Sequence, residues 1–278
     1  MLRIRDIAPR KNSVTTLELV NIIAFVLNMS KEQIFVNADT EIEDKKIVEI
    51  EQLIESRHKG KPLAYITKKK EFFSETFYVD ERVLVPRPET ETLVEAAITI
   101  IGEKKRPISI LDIGTGAGSI GLTIAKNTKQ HVICTDISFD ALKVAKMNAD
   151  ILGVANLVDF VCTDLLMGIK NGVMFDMVLA NLPYIPCDAC DDLMRDVKDF
   201  EPMIALNGGD GGTAIYERLI NMLPYFLRKE GACVLCEIDG AKQALKICRG
   251  FMRLGMNAEV KTDLSGTERV VIGTWTNS

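Results

Sequence analysis

Apolar positions in the first sixty or so residues recur at three- and four-residue spacing. Leu17, Val20, Ile23, Ala24 and Leu27 form a stripe that one helix could bury. Ser30, followed by Glu32 and Gln33, has the form of a second helix start, with Gln33 at the third position after the cap. A further helix is predicted over EIEDKKIVEIEQLIESRHKG, where Ile47, Ile50, Leu53 and Ile54 are apolar between charges and Gly60 stops the run. Between Pro62 and Pro88 the period shortens: EFFSETFYVDERVLVP alternates and is rich in aromatic and β-branched residues, which predicts a β-hairpin. Pro88 then suits the first position of a helix, and Glu89 and Glu91 suit the positive end of its dipole.

From Ile108 onward strands and helices alternate. ISILDIG, HVICTDIS, LVDFVCTD, FDMVLANLPY and GACVLCEI read as strands; SIGLTIAKN, DALKVAKMNADILG, IYERLINMLPYFLRK and AKQALKICRGFMRLG read as helices. Continuous apolar strands in that order predict an α/β fold with a mainly parallel sheet covered on both faces. The closing pair, AEVKTD and ERVVIGTW, has no helix between its members, so ERVVIGTW is expected as an antiparallel edge strand. The predicted layout is a helical domain over 1–64, a β-hairpin linker over 65–88 and an α/β domain over 89–278.

Composition narrows the function classes. The 278 residues, 47% hydrophobic and 26% charged, are those of a globular chain with room for two domains at about 150 residues each. A net charge of −5 lacks the basic footprint of a general nucleic-acid binder, although a local basic groove is still allowed. LELVNIIAFVLNM is interrupted by Asn21 and Asn28 before the ~18 apolar residues of a membrane helix, and MLRIRDIAPRK lacks the apolar core and cleavage site of a signal peptide. A cytoplasmic protein with no membrane contact is expected, and a monomer. The seven cysteines fit a reducing compartment, several of them in apolar runs. Cys187/Cys190 and Cys233/Cys236 have zinc-like spacing. Residues three apart on a strand point to opposite faces, so Cys233 and Cys236 cannot chelate one ion, and no metal is expected. With only His58 and His131, and neither GxSxG nor GxxxxGK[ST], a histidine metal site, a catalytic triad and a P-loop are not indicated.

In an open α/β sheet, ligands bind beyond the carboxyl ends of the strands. The first strand of the α/β region ends in Asp112-Ile113-Gly114-Thr115-Gly116-Ala117-Gly118, whose glycines allow a sharp turn and close approach to a ligand. The next strand ends in Asp136, placed to accept hydrogen bonds from a ribose diol, and the third in Asp164, at the height of a base. Gly116-Ala117-Gly118-Ser119-Ile120-Gly121 satisfies the dinucleotide pattern GxGxxG, which leaves NAD open. The DxGxGxG form instead resembles methyltransferases that bind S-adenosylmethionine, and this second reading is favoured.

The fourth strand ends in Asn181-Leu182-Pro183-Tyr184, similar to the (D/N)PPY signature of methyltransferases that modify planar nitrogens in DNA bases or glutamine amides. Such a nitrogen has a delocalised lone pair and is a poor nucleophile. By that resemblance the Asn181 side-chain oxygen and the Leu182 carbonyl would accept from both N–H groups in the amide plane and aim the out-of-plane density at a sulfonium methyl. Tyr184 would stack on the flat group.

The similarity extends over essentially the whole chain to the HemK/PrmC family of protein-(glutamine) methyltransferases: RHKGKPLAYITKKKEF, VLVPRPETETLVE, LDIGTGAGSIGL, NLPYIP, DFEPMIALNGGDGG and DLSGTERVVIG follow in that family's order. The resemblance implies a Rossmann-like class I methyltransferase domain behind a small N-terminal helical domain. It also implies S-adenosylmethionine as cofactor and, as substrate, the glutamine of the GGQ motif in class I peptide chain release factors. Carried over, Asp112, Gly114, Thr115, Gly116, Ala117, Gly118, Asp136, Asp164, Leu165 and Asn181 would contact the cofactor. Asn181, Leu182, Pro183, Tyr184 and Arg87 would hold the glutamine. Leu182 stands where the family usually has proline, and Leu165 where relatives often carry an aromatic. NGGDGG is expected as a flexible loop near the substrate entrance. Glutamine methylation of a ribosomal protein and DNA amino-methylation are the alternatives; direct DNA binding is not expected of this acidic chain.

Overall fold

A computed structural model describes residues 2–7 and 14–275. In chain order its helices and strands are α1 (Thr16–Leu27), α2 (Lys31–Val36), α3 (Asp44–His58), α4 (Leu63–Thr67), β1 (Lys69–Phe72), β2 (Glu75–Tyr78), α5 (Glu91–Gly102), β3 (Ile110–Ile113), α6 (Ser119–Thr128), β4 (Val132–Asp136), α7 (Phe139–Leu152), β5 (Val158–Cys162), β6 (Met177–Ala180), α8 (Arg195–Lys198), α9 (Ala214–Met222), β7 (Cys233–Glu237), α10 (Ala241–Arg253), β8 (Asn257–Thr262) and β9 (Glu268–Thr274). Two compact units result, one of residues 1–69 with 193–200, the other of 70–192 with 201–278. The order of elements alone would leave 193–200 in the α/β domain.

In the first unit, Thr15 and Ser30 each close a capping box, with Glu18 and Gln33. Ile22, Ile23, Ile34, Ile42, Ile50 and Ile66 form the core. The expected stripe of α1 is buried at Val20, Ile23 and Ala24, with Leu27 packed at the edge of the core; the buried face also takes in Leu19 and Ile22, whereas Leu17 is 64% exposed in the first turn.

The second unit holds the α/β architecture. Its seven-stranded sheet runs β5-β4-β3-β6-β7-β9-β8, parallel from β5 to β7, with β9 antiparallel to both neighbours. The final strand is therefore internal, and β8 takes the edge. The reason is burial: Val270, Val271 and Ile272 of β9 are core, while β8 is almost wholly exposed and carries an ion pair, Lys261 with Glu259 at 3.4 Å, on the open rim. Two further expectations shift. The strands of the hairpin, β1 and β2, join through Phe73 and Ser74, both left-handed (φ 49° and 62°), and residues after Tyr78 leave the sheet because the Asp80 carboxylate accepts from Arg82 N at 3.1 Å. The helix expected through IYERLINMLPYFLRK stops at Met222 and continues only as a short 3-10 turn, Leu223–Tyr225, around Pro224.

No described helix is long and apolar enough to cross a membrane.

Candidate active site

The neighbours of β3 are β4 and β6, so the chain reverses its direction of travel across the sheet at this point, and a crevice opens at the carboxyl ends of β3 and β6. Register pairs Ile113 with Ala180 and Ala180 with Cys236. Gly114, Asn181 and Glu237, the next residues on each strand, consequently stand in a row along the carboxyl edge.

The glycine loop is fixed from below. Gly114 N and Thr115 N donate to Thr135 O at 2.8 and 2.9 Å. Asp112 is fully buried, and its Oδ2 accepts from Thr115 Oγ1 at 2.6 Å and Gly121 N at 3.0 Å. Burial outweighs these bonds and pushes the Asp112 carboxyl up to about 6. The structure thus does not bring Asp112 to the cleft: it braces the loop beneath it. Gly118 is also behind the cleft, packed so closely that a Cβ would sit 2.6 Å from Leu122 Cδ1. Gly116 is different. Its φ is +55° and a Cβ there would meet nothing within 4 Å, so the loop offers an open cradle at that residue. Asn148 of α7, fully buried, donates from Nδ2 to Ala117 O and Tyr78 O, at 2.8 and 2.9 Å, tying the loop to the hairpin.

The cleft has a volume of about 180 Å³ and is lined by Gly114–Ala117, Asp136, Asp164, Leu165, Asn181–Pro183 and Arg87, among others. Asp136 Oδ2 accepts from Gly116 N at 2.9 Å and Oδ1 from Ser138 N at 2.8 Å, while burial raises its carboxyl above the usual range. Asp164 is paired with Arg218, 2.6 Å away, across the rim. Leu165 faces the cleft from a left-handed backbone (φ 49°), unusual for a branched side chain. Arg87 reaches Glu201 at 2.7 Å, and that glutamate is nearly buried.

At the β6 end, Asn181 Nδ2 donates to Thr90 Oγ1 at 3.1 Å. Among the described residues nothing donates to Asn181 Oδ1 or to the Leu182 carbonyl. Leu182 N donates to Tyr216 Oη at 3.0 Å, and that fully buried hydroxyl also bonds the carbonyls of Ala180 and Glu237. Gln243 Nε2 donates to Tyr184 O at 2.7 Å. The turn is therefore gripped along its backbone while two oxygens are left unengaged. The Tyr184 ring is not among the cleft-lining groups. It packs against the core, with its hydroxyl 3.4 Å from Glu237 Oε1, and burial keeps that hydroxyl protonated.

NGGDGG is not the loose loop expected. Ile185 N donates to Leu206 O, Gly208 N to Ile185 O and Cys187 N to Gly209 O, splinting the chain after Tyr184. A Cβ on Gly208 would lie 2.5 Å from Pro183 O, and one on Gly212 would collide with Tyr184 O, so the glycines here serve close packing against the turn. Thr90, Tyr216, Gln243 and Arg218 carry no sequence signal of their own. Glu237 does: it is the one charge in the apolar run CVLCEI, at the strand end that faces the crevice.

Residues 93–194 match the family model of the Methyltransferase small domain, and residues 15–67 that of the PrmC N-terminal domain. A release factor glutamine methyltransferase of Clostridium acetobutylicum is 38% identical over 254 residues, which cover 90% of this chain and 88% of that protein. The chain belongs to the release factor glutamine methyltransferase family. A second member of that family, from Thermodesulfovibrio yellowstonii, is 35% identical over 277 residues, covering 97% of this chain and 96% of its own. Among solved structures, the hMettl16 catalytic domain in complex with a MAT2A 3'UTR hairpin superposes with a TM-score of 0.60 at 16% identity, over 78% of this chain and 83% of that one, and shares the fold. The family resemblance drawn from the motifs, and the class I methyltransferase fold it implied, therefore hold.

Proposed function

We propose that this site transfers a methyl group from S-adenosylmethionine to the side-chain amide nitrogen of the glutamine in the GGQ motif of class I peptide chain release factors, in the cytoplasm. The observation that carries the proposal is the pair of unengaged oxygens, Asn181 Oδ1 and the Leu182 carbonyl, on the strand end adjoining the glycine loop.

The residues present fit the cofactor. Gly116 leaves room for it, and Asp136, held by two backbone N–H groups, presents a fixed carboxylate to hydroxyl donors. Gly114 to Ala117, Asp136, Asp164 and Leu165 would hold it; when bound it supplies an electrophilic methyl carbon on a sulfonium. The chain's own task is positioning. Asn181 and Leu182 accept both amide hydrogens, keep the carboxamide flat and turn the nitrogen's density toward the cofactor pocket. Arg87, paired with Glu201, borders the same cleft. With the cofactor bound, the nitrogen would gain its methyl group and give up one proton, the cofactor leaving as the neutral thioether.

Incubation with S-adenosylmethionine and a class I release factor, followed by intact-mass analysis and peptide mapping, should find one methyl on the GGQ glutamine. Label on a ribosomal protein or on DNA, with none on the release factor, would overturn the proposal. Asp136→Ala should weaken cofactor binding measured by calorimetry by about 10- to 100-fold, the loss of charge-assisted hydrogen bonds of about 1.5–3 kcal/mol. Thermal stability should rise with S-adenosylmethionine and not with NAD.

A further inference from the structure

We propose that Glu201 is a positioning residue for Arg87: it holds the guanidinium at the acceptor end of the cleft, where the remaining N–H groups of Arg87 donate to main-chain carbonyls of the incoming peptide loop. The inference rests on the protein substrate proposed above and names the groups that recognise its backbone.

Arg87 caps a single 3-10 turn, Pro88–Thr90, at whose end Thr90 N donates to the Arg87 carbonyl at 3.2 Å. Thr90 Oγ1 in turn accepts from Asn181 Nδ2 at 3.1 Å. This short path ties Arg87 to the NLPY turn at the end of β6. Asp136 and Asp164 belong to β4 and to the chain after β5, on the other side of β3. A second segment borders the same end. Pro202, Ile204 and Ala205 line the cleft, and just beyond them Leu206 O accepts from Ile185 N at 3.1 Å, so this segment runs beside the chain that leaves NLPY. Arg87 Nη2 donates to Glu201 Oε1 at 2.7 Å, and the ion pair joins the two segments.

Burial is unequal across the pair: the Glu201 side chain is 2% exposed and that of Arg87 32%. A carboxylate so placed cannot follow its partner into water, so it anchors the half-exposed guanidinium. Arg87 carries five N–H donors in a rigid fork, and among the described residues its side chain makes no hydrogen bond besides the one to Glu201. The donors left over border the cleft. Because the pair has no net charge, it suits neutral carbonyl oxygens. A free carboxylate would have to compete with Glu201 for the same cation. A glycine-rich loop offers main-chain carbonyls with no side chains to shield them.

The test compares the full chain with Glu201→Gln, Arg87→Met and the double variant, using a class I release factor and S-adenosylmethionine. KM for the release factor should rise about 10- to 100-fold in each single variant while kcat changes by less than about fivefold, as expected when charge-assisted hydrogen bonds that contribute to binding alone are lost or misaligned. Glu201→Gln should add less than about threefold in the Arg87→Met background, because it acts through the guanidinium. Affinity for S-adenosylmethionine, measured by calorimetry, should stay within about threefold of the parent in every variant. Affinity for the release factor, measured with no methyl donor present, should weaken in proportion to KM. Parental KM and parental binding in both single variants, with the parent methylating the release factor, would overturn the positioning role and leave the proposed function standing. Effects that multiply in the double variant would show that Glu201 does not act through Arg87. Weaker S-adenosylmethionine binding at an unchanged KM would assign the guanidinium to the cofactor's carboxylate instead. A parent that binds the release factor without methylating it would overturn the proposed function, and the binding series would still decide the role of Glu201. Should a single variant fail to fold, the double variant, which leaves neither charge unpaired, decides: parental KM there overturns the proposal.

Discussion

Asn181→Ala is expected to lower single-turnover methylation by about 10²- to 10³-fold, the cost of removing one preorganised hydrogen-bond partner from a transition state in a cleft. S-adenosylmethionine affinity should change by less than about tenfold, since one neutral hydrogen bond contributes about 0.5–1.5 kcal/mol. The two measurements together separate the acceptor role from a cofactor-binding one. A rate within a few-fold of the parent would place the chemistry elsewhere. The second acceptor is a backbone carbonyl and cannot be deleted, but its setting is visible. Leucine at 182 brings an N–H that proline would lack, and this buried donor is met by Tyr216 Oη at 3.0 Å. Pro183 still holds Leu182 extended. The chain accommodates the departure from the family's usual proline through that hydroxyl.

The second large effect is one of packing. In Gly212→Ala the new methyl would overlap the Tyr184 carbonyl and come within 2.7 Å of Gln243 Nε2, at a residue whose φ is +69°. Neither neighbour is free to move: Gln243 is already bonded to the same carbonyl, which belongs to the NLPY turn. Backbone strain and overpacking together should cost about 3–5 kcal/mol, or about 6–20 °C in Tm at about 2–4 °C per kcal/mol. Activity should fall further than the loss of folded protein explains, because relief of the clash displaces Tyr184. Calorimetry and a rate normalised to folded enzyme test both parts. A variant with parental Tm would show that the loop is loose after all.

What could be read before folding, and what could not, divides along physical lines. Strand and helix order in the α/β unit was legible because buried strands such as MVLA and CVLCE are continuous apolar runs, and the glycine loop and NLPY appear where such strands stop. Lateral order was not: nothing in ERVVIGTW shows that it inserts between β7 and β8, since pairing partners are chosen by burial across the whole sheet. Asp112 looked like a ligand-facing acid and is a brace, because period alone does not separate the two sides of a strand end. Tyr184 was expected over the substrate and packs inward. Thr90, Tyr216 and Gln243 come from remote parts of the chain and meet NLPY only in three dimensions, so their roles have no local signature.

The place of β9 also has a temporal consequence. Residues 268–274 are synthesised after the glycine loop, the NLPY turn and β7, yet they flank β7 and pair Val270 with Glu237. Until they emerge, the strand that carries Glu237 has a bare edge, and the nascent sheet, with its glycine loop and NLPY turn already made, is open to pairing with a second chain. A chain truncated just short of this strand would be an aggregation-prone intermediate, with its glycine loop and NLPY turn present and its sheet unfinished.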